Sequence, residues 1–144
     1  MRVLITGAAL VAGLLFASAE AAASSSPNPT FLYEEVSAPG ESMDAFTLRI
    51  APRALKHTNK SGHQVCGAIE SPQNGQFRIK ISTIRSGTSC QVPSSAAVYF
   101  TTHTWSNETF SQGEREIPGY LAVKNSLYYQ NGMQERKVGT LGLW

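Results

Sequence analysis

Apolar and polar residues alternate along this chain in three distinct regimes. The first is a continuous apolar run from Val3 to Phe16, preceded by Arg2 and followed by the small-residue tract Ala17-Ser18-Ala19-Glu20-Ala21-Ala22-Ala23. A run of that length is short for a membrane span, which needs roughly 20 apolar residues. Positive start, apolar middle and small-x-small end together predict a secretory signal peptide over residues 1–23. Polar sequence rich in Ser and Pro follows, and residues 24–40 read as a flexible lead-in, with Phe31, Leu32 and Tyr33 docking weakly if at all.

The second regime is helical. Pro39-Gly40-Glu41-Ser42 offers a turn, with Ser42 as N-cap. Met43, Phe46, Leu48, Ile50, Ala51, Ala54 and Leu55 then recur at loosely helical spacing. Pro52 conflicts with this, because proline lacks the N–H that a helix interior needs, and it predicts a kink or a split near Ile50. Asn59-Lys60-Ser61-Gly62 ends the element.

The third regime has a period of two. Gln64–Ile69 is a short apolar strand, and Asn74-Gly75 marks a turn. Gln76–Ile84 places Phe77, Ile79 and Ile81 on one side and Arg78, Lys80 and Ser82 on the other. Ala96–His103, Gly119–Val123, Ser126–Gln130 and Gln134–Leu141 complete the strands, with a loop at Trp105–Phe110 and a short helix at Ser111–Glu116. The expectation is one α+β domain over 41–144, with a sheet of five to six mostly antiparallel strands and the N-terminal helix packed on it.

Charge changes this picture little. The formal net charge is +2, and the basic residues are scattered, which predicts no nucleic-acid affinity. No second apolar run is long enough to hold the chain in a membrane once the leader is cut. The two cysteines, Cys66 and Cys90, change it more. In an exported chain an even pair most simply forms one disulfide, stabilising by roughly 3 kcal/mol in the loop-entropy model. A metal site or a catalytic thiol is the alternative, and the absence of a CxxC spacing argues against both. Asn59-Lys60-Ser61 and Asn107-Glu108-Thr109 fit the N-glycosylation pattern, which matters mainly in a eukaryote.

The richest chemistry lies in Tyr99-Phe100-Thr101-Thr102-His103-Thr104-Trp105 and in Phe110-Ser111-Gln112-Gly113-Glu114. His103 ends a strand, and Ser111 and Glu114 open the next element. This layout resembles the JAB/MPN metalloprotease-like domain, in particular a small exported bacterial branch, over about residues 41–140. In that family a Glu on an early strand serves as base. A His-x-His on a later strand and an Asp in a following Ser-x-x-Asp bind zinc, and the Ser helps hold the oxyanion. Here Gln64 takes the position of the base and Thr101 that of the first His. His103 matches the second His, Ser111 the Ser, and Glu114 replaces the Asp.

Gln64 has no carboxylate to accept and return a proton. His103 and Glu114 supply two ligands where a catalytic zinc normally has three. The resemblance therefore implies a secreted or periplasmic pseudoenzyme with no cofactor, binding a protein or cell-wall peptide in a groove of Thr101, His103, Trp105 and Ser111. A zinc-dependent peptidase or isopeptidase that recruits His57 or His63 beside His103 and Glu114 is the alternative, and a toxin-associated or immunity protein is a third.

Overall fold

The computed structural model describes residues 27–71 and 74–142, so the expected signal peptide over 1–23 lies outside the described residues. Within them the fold is α+β: one long helix against a seven-stranded mixed sheet.

The helix, α1, spans Met43–Ser61 without a break. The Ser42 hydroxyl accepts the Ala45 N–H at 3.1 Å, and Asp44 stands in the first turn. Gly62 closes it at φ 75, a left-handed conformation that glycine adopts without strain, and its N–H donates to the Thr58 carbonyl. The expected kink at Pro52 does not divide the helix. Proline inside a helix costs about 3 kcal/mol. Burial of Phe46, Ile50 and Leu55 on the sheet stabilises by about 2 kcal/mol for each side chain and offsets that cost.

The strands are β1 Thr30–Val36, β2 Cys66–Glu70, β3 Arg78–Thr83, β4 Tyr99–Thr102, β5 Gly119–Val123, β6 Ser126–Gln130 and β7 Glu135–Thr140. They run in the order β1-β3-β2-β4-β5-β6-β7. Seven strands replace the five to six expected, because Thr30–Val36, read as part of a flexible lead-in, pairs antiparallel with β3 as an edge strand. A bulge between Phe31 and Tyr33 breaks its alternation and hides it from a period-two reading. The remaining pairs are antiparallel except β4–β5, where Tyr99 faces Gly119 and Thr102 faces Ala122 in parallel. Parallel neighbours need a crossover, and residues 103–118 provide it. The expected helix at Ser111–Glu116 is a single 3-10 turn, Gly113–Arg115, within that crossover.

Strand alternation divides the sheet into two faces. Phe100 packs in the core beneath α1, and the Thr102 hydroxyl meets that of Thr58 on the helix at 2.6 Å. Tyr99 points the other way and packs with Phe110, Leu121 and Val123 under the crossover. Cys66 and Cys90 are bonded across 24 residues and fasten the segment after β3 to β2. No helix among the described residues is long and apolar enough to cross a membrane.

Candidate functional site

The site is built where the crossover returns over the sheet. The Tyr99 ring lies flat over Gly119, where a Cβ would sit 2.1 Å from the ring carbon Cζ, so only glycine fits at that position. The Tyr99 hydroxyl donates to the Glu114 carbonyl at 2.5 Å. Burial pushes this phenol above its ordinary pKa, which keeps the proton available as a donor. From β6, the buried Gln130 amide donates to the carbonyls of Glu114 at 2.8 Å and Ile117 at 2.7 Å. Two strands thus hold the backbone that carries Glu114.

The side chains of Ser111 and Glu114 bind each other's backbone. Ser111 Oγ accepts the Glu114 N–H at 3.3 Å, and Glu114 Oε2 accepts the Ser111 N–H at 3.1 Å. This is the reciprocal capping box that Ser-x-x-Glu encodes at the start of a turn. The second carboxylate oxygen, Glu114 Oε1, lies 2.7 Å from His103 Nε2. His103 is only 1 % exposed, and its Nδ1 lies 3.1 Å from the Asn107 carbonyl oxygen. Both ring nitrogens therefore face acceptors. A neutral imidazole has one N–H and satisfies one of them, while the imidazolium donates to both with Glu114 as counter-charge.

The other residues singled out from the sequence fall in three places. Thr101 is buried on β4, on the same face as His103. The β2–β4 register pairs Cys66 with Thr101, and continuing it past the strand end sets Gln64 opposite His103. Gln64 is 1 % exposed; its Nε2 donates to the Gly87 carbonyl at 3.5 Å, and its Oε1 has no partner. Trp105 is 62 % exposed on the crossover, with Lys124 Nζ 5.8 Å from its ring centre. His57 lies on α1, and His63 follows its end.

These residues do not suit a zinc ion as they stand. His103 spends both nitrogens on protein oxygens, and Glu114 divides its oxygens between His103 and Ser111. Among the described residues no three His, Cys, Asp or Glu side chains are grouped to hold a metal.

Beside the His103–Glu114 pair opens a cavity of about 420 Å³. Tyr99 and Thr101 form its floor, the Ser111–Ile117 stretch one wall, and the Thr88–Ser94 stretch the other. Of the four residues expected to line a groove, Thr101 and Ser111 line this cavity, and His103 and Trp105 do not. Sequence reasoning missed the second wall: none of Thr88–Ser94 was expected at the groove. The signal was Cys90, whose bond to Cys66 pins that loop against the sheet. Val92, Pro93 and Ser94 also border a larger cavity of about 570 Å³ over β1, β3 and β2.

The chain matches no protein-family model, no curated protein and no solved structure.

Proposed function

We propose that this chain is an exported, catalytically inactive JAB-like domain that binds a protein or cell-envelope peptide in the cavity between Thr88–Ser94 and Ser111–Ile117. The observation that carries the reading is the mutual engagement of His103 and Glu114: the two groups that would hold a metal hold each other and brace the cavity wall. A hydrogen-bonded pair whose ring nitrogens and carboxylate oxygens all have partners is suited to fixing geometry and leaves no free base or ligand. Gln64 in place of a carboxylate points the same way. The apolar leader at the N-terminus and the bonded Cys66–Cys90 pair support export to an oxidising compartment.

The test is to incubate the purified chain with peptidoglycan stem peptides and isopeptide-linked substrates, with and without zinc, and to measure binding and turnover together. Binding of the stem peptides with turnover of neither substrate is expected, with that binding lost in Ser94→Trp, which fills the cavity mouth. Zinc-dependent turnover that disappears in His103→Ala would overturn the reading.

A further inference from the structure

The cavity described above carries a charge that nothing inside it balances. Glu116 lines it, and neither Lys, Arg nor His is among its lining residues. The neighbouring cation in sequence, Arg115, is turned away, 3.1 Å from Glu135 and 5.6 Å from the Phe110 ring centre. Glu114 already engages His103 Nε2 at 2.7 Å and the Ser111 N–H at 3.1 Å, so the lining carboxylate without a hydrogen-bond or ion-pair partner among the described residues is that of Glu116.

Apart from Glu114 and Glu116, the lining is uncharged. Thr101 is 2 % exposed and turned into the cavity. Its hydroxyl donates to the Thr102 carbonyl at 3.4 Å and receives no hydrogen bond in return. It can therefore accept on the cavity floor, with Ser94 on one wall and Ser111, whose Oγ already accepts the Glu114 N–H, on the other. Val92, Pro93 and Ile117 supply apolar surface between these acceptors. A negative charge, hydroxyl oxygens able to accept and apolar wall surface complement a cation with several N–H donors at the end of a short aliphatic stem. An anionic group would meet repulsion from Glu116 and find no cation.

Building on the binding role proposed above, we propose that this cavity receives a free primary ammonium group, the side chain of a lysine or of another diamino acid in a peptide, with Glu116 as its counter-ion. The ammonium donates to the Glu116 carboxylate and to Thr101 Oγ1, and its methylene stem lies against Val92 and Ile117. Acylation of the amine removes the charge and two of the three donors, so an isopeptide-linked lysine is not a ligand.

The test is calorimetric titration of the chain with a terminally blocked Gly-Lys-Gly peptide, its Nε-acetylated form, and the same pair against Glu116→Gln. Glu116 is exposed, so the variant keeps its fold, which circular dichroism checks. Loss of a charge-assisted hydrogen bond predicts affinity about tenfold weaker in Glu116→Gln, and no binding of the acetylated peptide by the native chain. Absence of binding by the lysine peptide, equal binding of the acetylated form, or unchanged affinity in Glu116→Gln would each overturn the ammonium assignment. If a stem peptide blocked at every amine still binds and Ser94→Trp abolishes it, the ammonium assignment fails while the binding role stands. Zinc-dependent hydrolysis removes the binding role itself.

Discussion

The two faces of the one sheet are held by opposite means. Under α1 the contacts are apolar and come from a single element: Phe46, Ile50, Ala51, Ala54 and Leu55 descend onto Ile79, Ile81, Phe100 and Leu127. Under the crossover the apolar cluster is small, and the backbone is positioned by polar groups from distant strands, Tyr99, Gln130 and His103 among them. The first face tolerates polar neglect because it has few polar atoms to satisfy. The second depends on every partner being present, since a buried polar group left unpaired costs about 1–3 kcal/mol. Stability accordingly resides on the helix face, and the shape of the cavity resides on the other.

The strongest way to break that division is to empty the helix face. Phe46 is fully buried beneath α1, stacked against Phe77 with ring centres 6.3 Å apart. Phe46→Ala is expected to cost about 3–5 kcal/mol, the range for large-to-small changes in a core. Urea unfolding followed by circular dichroism measures it. A loss confined to less than about 1 kcal/mol would show that the helix is not the main source of stability.

The faces also differ in how legible they were. Helical spacing of apolar residues and the Ser42 cap were enough to place α1, because both signals are local. Pro52 misled for the same reason: its local penalty is visible in sequence, and the burial that offsets it is not. The edge strand Thr30–Val36 was lost because its bulge and its pair Glu34-Glu35 erase the alternation that marks strands. Period-two patterning also carries no strand direction, so the parallel pairing of β4 with β5 was hidden. At the site, Ser111 and Glu114 were visible as a spacing, and the structure makes of them a capping box that also grips His103. Gln130 and Tyr99, which hold the turn, act across separations of 13 to 31 residues and left no trace in any window.

That missed glutamine gives the next test. Gln130→Leu keeps the volume and removes the amide that serves the Glu114 and Ile117 carbonyls and the acceptor for the Gly132 N–H at 2.6 Å. The expected loss of stability is about 2 kcal/mol, smaller than for Phe46→Ala. Its effect on the cavity is the more telling one. Amide exchange at Glu114–Ile117 is expected to accelerate well beyond the change in α1, which isolates the crossover from the helix face. Uniform acceleration over both would mean that the faces are one cooperative unit with no division between them.

The smallest expected effect concerns Asp44, where the helix face does carry polar chemistry. Its Oδ1 accepts the Tyr120 hydroxyl at 2.6 Å, and the Arg136 guanidinium reaches the carboxylate at 3.0 Å. The Arg136 hydrogen bond, helped by that of Tyr120 and opposed by partial burial, holds the Asp44 carboxyl below its ordinary pKa. A group whose pKa is depressed by folding binds protons more readily when unfolded. The stability it contributes is therefore full above the unfolded value of about 4 and is lost as pH falls through the folded one. Asp44 is 38 % exposed, so water screens the pair and the effect is modest. In urea titrations, Asp44→Asn is expected to lower the midpoint at pH 7 and to converge on the native chain as the solution is made acidic. A gap that stays constant with pH would assign the loss to the hydrogen bonds rather than to charge, leaving the helix face with no contribution from ionisation.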